Sequence, residues 1–248
     1  MNKTVKKILI GIGILILLIA LVMGGFMLKM KSETKKMNVI HTMEIINNVF
    51  AIDNSYVNMF LLKDSDNYIA IDAGNDKKDV AKELKKLNIN PEKVVAVLLT
   101  HTDGDHVAAI TLFKNAEIFL SRQEEQLING KTSRLFFRGN KIDAKKYTLL
   151  DDRQVFKIGN VEIKCILTPG HTPGSMSYLL NNKYLFVGDA FGLDSAKVAK
   201  PNDFFSNDMK KAIQSFQKIN RLTNVEFILT AHNGFSADYK NAINTTLE

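Results

Sequence analysis

The stretch Val94-Val95-Ala96-Val97-Leu98-Leu99-Thr100-His101-Thr102-Asp103-Gly104-Asp105-His106 decides how this chain is read. Its first six residues are apolar without alternation and rich in β-branched side chains. That pattern predicts a strand buried on both faces, as in the parallel part of an α/β sheet. Directly after it come two of the chain's five histidines and two carboxylates, with Gly104 to turn the backbone. Imidazole and carboxylate are the usual donors to zinc, iron or manganese. Strand ends are where loops present such groups on a rigid frame. Alone, the HxDxDH pattern also suits a capped turn leading into a solvated helix.

Working outward, the same arrangement recurs. LTPGHTPGSMS (167–177) follows a strand-like run and sets His171 in a loop fixed by prolines and glycines. LFVGDAFG (185–192) ends a strand at Asp189, and FILTAHNG (227–234) ends one at His232. Each is weak alone, since turns carry incidental histidines and Gly-Asp closes many strands. Together they predict one convergent cluster of His101, Asp103, Asp105, His106, His171, Asp189 and His232. Seven donors exceed one tetrahedral ion and suit two ions sharing a bridging carboxylate. The fifth histidine, His41, is expected in an early strand with a structural role.

The remaining elements frame these motifs. VIHTMEI, VFAID and MFLL read as early strands, and KDSDN turns the chain into YIAIDAG. NDKKDVAKELKKLNI reads as a helix capped by Asn75 or Asp76, with Val80, Leu84 and Leu87 on one face. EIFLS is a short strand and RQEEQLIN a short helix. Residues 129–153 are polar, with Leu135-Phe136-Phe137 as an apolar island. VFKI, VEIKCILT, SMSYLL and YLFVG are strands turned at Gly159-Asn160 and Asn181-Asn182. NDMKKAIQSFQKINRL is a second helix, burying Ala212, Ile213, Phe216 and Ile219. Two strand-rich halves with helices between them predict two packed sheets with helices outside.

One segment stands apart. Ile8–Leu28 is 21 residues without a charge, long enough to span a bilayer core of about 30 Å. Signal-peptide apolar regions are shorter, about 7–15 residues, so an uncleaved single-pass anchor is expected over 1–36, followed by one domain over 37–248. Gly24-Gly25 is a weak alternative cleavage site. Lysines flank both ends, so charge is nearly silent on orientation; the short N-terminal lead favours a domain outside the cytoplasm. Residues 1–36 hold seven lysines and one glutamate, which supply +6 of the net +7. The rest is near neutral, which argues against a broad nucleic-acid surface; a small-molecule substrate is expected, with oligomeric state open. The single Cys165 cannot form an intramolecular disulfide and reads as a small buried hydrophobe.

YIAIDAG, LLTHTDGDHVAAI, LTPGHTPGSMSYLL, LFVGDAFG and ILTAHNG, in this order across residues 40–235, resemble the metallo-β-lactamase fold superfamily. The resemblance implies a four-layer αβ/βα sandwich of two mixed sheets flanked by helices, with metals at one edge between the sheets. It assigns His101, Asp103 and His171 to one ion and Asp105, His106 and His232 to the other, with Asp189 bridging. It implies a hydrolase that uses a metal-activated hydroxide on an ester, lactone, thioester or lactam. Asp105 would both bind metal and orient the nucleophile. Asp103 departs from the common HxHxDH form. A carboxylate there resembles the flavodiiron branch, although residues 37–248 leave no room for a flavodoxin domain. A harder, anionic donor opens the site to iron or manganese beside zinc. A di-iron redox protein or a small phosphodiesterase are the alternatives. Asp72 is a candidate support for a ligand histidine or for the loop near Thr100; Arg134, Arg138 and Lys200 are candidate substrate cations.

Overall fold

The structure, a computed structural model, describes residues 2–134, 139–245 and 247. The Leu135-Phe136-Phe137 island and Arg138 lie outside the described residues. The chain divides into two units, Met1–Met37 and Asn38–Glu248.

The first unit is one helix, α1 (Lys3–Thr34), capped by the Asn2 side chain, which accepts from the Thr4 N–H. Its 32 residues span about 48 Å at about 1.5 Å each. Isoleucines and leucines between Ile8 and Leu28 are exposed around its whole circumference. A helix apolar on every side needs an apolar surround, and this one is long and apolar enough to cross a membrane.

In the second unit the strands are β1 (Met43–Ile46), β2 (Val49–Asn54), β3 (Val57–Asp64), β4 (Asn67–Ile71), β5 (Val94–Leu98), β6 (Glu117–Ser121), β7 (Thr148–Leu150), β8 (Val155–Ile158), β9 (Val161–Leu167), β10 (Met176–Leu180), β11 (Tyr184–Gly188), β12 (Gly192–Asp194), β13 (Lys197–Ala199), β14 (Phe227–Thr230) and β15 (Phe235–Ser236). The helices are α2 (Lys77–Lys86), α3 (Gly104–Val107), α4 (Glu125–Ile128), α5 (Met209–Ile219) and α6 (Tyr239–Ile243). One sheet runs β1-β2-β3-β4-β5-β6-β7 and the other β15-β14-β11-β10-β9-β8. Both are mixed: β1 to β4 pair antiparallel and β4 to β7 parallel, while β11 pairs β14 parallel among antiparallel neighbours.

Alternation along the strands separates the layers. Ile69, Ile71 and Leu98 face the second sheet, meeting Cys165, Tyr178 and Phe186. Ala70, Val97 and Leu99 face the other way, onto Val80 and Leu84 of α2. Leu179, Leu185 and Ile228 of the second sheet face outward onto Phe216 and Ile219 of α5 and Tyr239 of α6. The order is therefore helix, sheet, sheet, helix: the four-layer αβ/βα sandwich. Each outer helix starts at an aspartate, Asp76 accepting from the Lys78 and Asp79 N–H groups and Asp208 from that of Lys211.

Three local readings differ. His41 precedes β1 and is exposed, its ring 3.3 Å from Asp53. Leu87 and Ile213 are only half-buried, and Leu87 lies past the end of α2. The polar stretch 129–153 contains β7, paired parallel to β6, with only three residues to signal it.

Candidate metal centre

Four segments from both sheets deliver the cluster to one edge of the sandwich. The first sheet contributes the segment after β5. His101 lies three residues past its end, Asp103 precedes α3, and Asp105 and His106 lie in the single turn of α3. Asp103 occupies the position where an aspartate ordinarily caps a helix, yet its side chain makes no capping bond. It is turned into the cluster instead. The second sheet contributes His171 from the β9–β10 loop, Asp189 after β11 and His232 after β14.

All seven side chains meet. Asp103 Oδ2 is 3.7 Å from His101 Nε2 and 3.3 Å from His171 Nε2. Asp105 Oδ2 is 3.7 Å from both His106 Nε2 and His232 Nε2. Asp189 lies between the halves, with Oδ2 3.3 Å from His171 Nε2 and 3.1 Å from His232 Nε2, and Oδ1 3.3 Å from His106 Nε2. Three overlapping groups have donor atoms within 4.8 Å of one another: His101–Asp103–His171, His101–His106–Asp189, and Asp105–His106–His232.

Surrounding groups aim the rings. Asp72 follows β4 with φ of +61°, a conformation a non-glycine residue holds only when its surroundings enforce it. Its Oδ1 accepts from the Thr100 N–H at 2.7 Å. Its Oδ2 accepts from the Thr100 hydroxyl at 2.8 Å and faces His106 Nδ1 at 2.9 Å. Asp72 thus does both jobs foreseen for it. Because the Thr100 hydroxyl donates to Asp72, its oxygen accepts from His101 Nδ1 at 3.0 Å. His232 Nδ1 donates to the Tyr56 carbonyl at 2.6 Å. With Nδ1 engaged outward in each, Nε2 of His101, His106 and His232 is the nitrogen turned to the centre, and it offers a lone pair there when the ring is neutral.

The cluster's centre is unsatisfied. Nε2 of His101, His106 and His171 and Oδ1 of Asp189 are buried without a hydrogen-bond partner. Such groups are rare because leaving them unpaired is costly, and four in one place describe a socket for a Lewis acid. The electrostatics agree. Burial and the neighbouring His106 push His101 well below its ordinary value. Burial opposes protonation of His106, but Asp189, Asp105 and Asp72 outweigh it and raise it well above normal. His232 is likewise raised, by Asp189 and Asp105 against burial. Asp189 is buried, which alone would raise it, yet His232, His106 and His171 hold it well below the carboxylate range. The set calls for positive charge at its middle.

Of two supports, Glu124 carries no sequence signal and Arg134 reads only as a candidate substrate cation. Glu124, wholly buried, bonds both ligand loops. Its Oε1 accepts from the Thr102 N–H and hydroxyl at 2.8 and 2.9 Å; its Oε2 accepts from the Thr172 hydroxyl at 2.7 Å and the Gly174 N–H at 3.1 Å. Arg134 Nε lies 2.8 Å from Asp103 Oδ2, and Asn140 donates to Oδ1 at 2.9 Å. Arg134 is therefore tied to Asp103 and not open to substrate. Lys200 lines a separate cavity of about 420 Å³ with Asp194, Lys197 and Leu247.

Comparison with known proteins matches the geometry. A family model described as the metallo-beta-lactamase superfamily matches residues 52–232. A probable metallo-hydrolase of Methanocaldococcus jannaschii is 31% identical over 155 residues, 62% of this chain and 64% of that protein. A probable polyketide biosynthesis zinc-dependent hydrolase of Bacillus subtilis is 31% identical over 122 residues, 48% of each chain. A hydroxyacylglutathione hydrolase of Buchnera aphidicola is 31% identical over 192 residues, 77% of this chain and 66% of that one. The chain thus spans between about half and two thirds of the length of these relatives. Among solved structures, a metallo-beta-lactamase family protein of Thermus thermophilus superposes with a TM-score of 0.65 at 19% identity, covering 80% of this chain and 78% of that one. That likeness establishes the fold.

Proposed function

Since the chain belongs to the metallo-beta-lactamase superfamily, we propose that it is a membrane-anchored hydrolase carrying two divalent ions. Zinc is the first choice, with iron or manganese admitted by Asp103. The observation that carries this reading is the set of four buried, unpartnered donor atoms facing one another at the centre of the cluster.

His101, Asp103 and His171 would hold one ion, and Asp105, His106 and His232 the other, with Asp189 between them. When bound, such ions lower the pKa of water toward about 7 and polarise the oxygen of the bond under attack. The side chains do the rest. Asp105 is the most open carboxylate of the cluster, its side chain 20% exposed against 12% for Asp189. Beside its place in the second set of ligands, it would accept a hydrogen bond from the attacking water and set its direction. His106 and His232, held through Nδ1 by Asp72 and by the Tyr56 carbonyl, keep Nε2 fixed so that the site does not reorganise during the reaction. No serine or cysteine nucleophile is required; Cys165 is buried and its thiol is pushed up to about 12 by burial and by Asp152 and Asp151.

The substrate is a small molecule with an activated acyl bond: an ester, lactone, thioester or lactam. The hydroxyacylglutathione hydrolases among the relatives favour placing thioesters first in a substrate panel. Asp103 supports a second reading, a di-iron redox centre on the same fold. The two are separated by metal analysis of the purified chain together with oxygen and nitric-oxide consumption. For the hydrolase reading, chelation and His106→Ala each abolish turnover of the panel while the fold survives. Full turnover by a metal-free sample refutes it. The helix α1 would serve as the anchor, with the second unit outside the cytoplasm; protection of that unit from protease on intact cells would reverse the orientation.

A further inference from the structure

We propose that Arg134 sets the cation affinity of the His101–Asp103–His171 half of the cluster, holding it below that of the Asp105–His106–His232 half, so that two ions load in sequence. The proposal rests on reading the cluster as a metal centre.

The oxygen that Asp103 turns toward His171 Nε2, at 3.3 Å, is Oδ2. The same oxygen lies 2.8 Å from Arg134 Nε. The guanidinium cannot withdraw cheaply. Its Nη1 donates to the His171 carbonyl at 2.7 Å and its Nη2 to the Phe205 carbonyl, and the side chain is only 9% exposed. A guanidinium stays protonated in proteins. It therefore draws negative charge from the donor oxygen and repels a cation arriving beside it. Asp103 enters the first half already neutralised by a fixed positive charge.

The second half has the opposite environment. Asp105 has no lysine or arginine within ion-pair distance among the described residues, and its nearest charged partners are His106 and His232. Behind His106 stands the Asp72 carboxylate, 2.9 Å from Nδ1, and behind His232 the Tyr56 carbonyl at 2.6 Å. Electron-rich groups behind an imidazole raise its basicity as a ligand. His101 has only the Thr100 hydroxyl at that position. With Asp189 shared, the halves differ by one full charge and by the groups that support their histidines, and both differences favour the second half.

The test uses the full chain in detergent, stripped by chelation and titrated with zinc by calorimetry against a competing chelator, with metal content measured in parallel. Wild type shows two classes of site at least tenfold apart in Kd. Asp103→Asn removes the weaker class and His232→Ala the tighter. Arg134→Gln tightens the weaker class at least tenfold and leaves the tighter unchanged. If Arg134→Gln does not fold, the Asp103→Asn and His232→Ala pair still decides the order of loading. Equal affinities in wild type, loss of the tighter class in Asp103→Asn, or a weaker class that is unmoved or weakened in Arg134→Gln overturns the role of Arg134 alone. A wild type that takes up no zinc sinks the metal-centre reading itself.

Discussion

Replacing Glu124 with glutamine alters few atoms and should cost much. The carboxylate accepts four hydrogen bonds, two on each oxygen. Two donors are hydroxyls that can rotate; the other two, the Thr102 and Gly174 N–H groups, cannot. Glutamine offers one oxygen and one NH2. In either orientation a fixed backbone N–H faces an amide NH2 and is left unsatisfied in a fully buried place, at about 1–3 kcal/mol. The surviving bonds lose their charge-assisted character, adding about 1 kcal/mol. Burial pushes the Glu124 carboxyl above its ordinary value, so the neutral amide recovers part of a desolvation cost. The expected net loss is about 1–3 kcal/mol. Urea denaturation of the detergent-solubilised protein, followed by far-ultraviolet circular dichroism, measures it; the absence of tryptophan makes the usual fluorescence probe useless. Glu124 bonds both loops that supply the first half, those of Asp103 and His171, but only one of the two that supply the second, since it does not touch the segment of His232; zinc affinity should therefore fall more at the first half than at the second. A change below about 0.5 kcal/mol, or equal loss of affinity at both halves, would refute the reasoning.

Other outcomes follow from the same structure. Asp72→Asn removes the carboxylate behind His106 and should weaken metal binding at the second half by about 10–100-fold, read by zinc titration. Gly188 has φ of +55°, and a Cβ there would lie 2.5 Å from the Thr100 hydroxyl oxygen, so Gly188→Ala should lose about 2–4 kcal/mol in a denaturation series. Asp152 is pushed up by partial burial, but the Lys218 ammonium at 2.6 Å and the Leu167 N–H at 2.8 Å outweigh it and hold the carboxyl below its ordinary value. A depressed acid adds stability above its unfolded pKa of about 3.9 and loses it as pH falls through the folded value. Lys218→Met should therefore cost about 0.5–1 kcal/mol near neutral pH, discounted for exposure, with the difference vanishing in acid; a pH-independent gap would show that the ion pair is not its source.

The framework was legible because it follows short-range rules. VVAVLL could only be a two-sided buried strand, and β5 has that place, inner residues toward one sheet and outer toward α2. Asp76 and Asp208 mark both long helices by the capping chemistry their sequences advertise. The convergence of the seven cluster residues was legible because each lies in a segment that follows a strand, and the strand ends in this topology share an edge. Glu124 was not, and Arg134 was legible only as a candidate substrate cation, not as the partner of Asp103. Glu124 sits in RQEEQLIN, where a charged residue reads as solvated helix, and only tertiary structure places Thr102 and Gly174 around it. Arg134 comes from a polar stretch without periodicity, 31 positions after the aspartate it meets. His41 was misread because VIHTMEI alternates like a strand, whereas pairing begins only at Met43.

Each half of the cluster draws on both sheets, and the join between those sheets is stitched beside it. The Met176 N–H donates to the Thr100 carbonyl at 2.8 Å, the Tyr178 hydroxyl to the Leu99 carbonyl at 2.8 Å, and the Asn58 N–H to the Ala231 carbonyl at 2.7 Å. Any sliding of one layer over the other would have to break these threads before it could part His101 from His171 or His106 from His232. The spacing between the two halves of the cluster is thus a property of the whole sandwich, and a mutation deep in its interior, far from any donor atom, would detune the geometry at the rim.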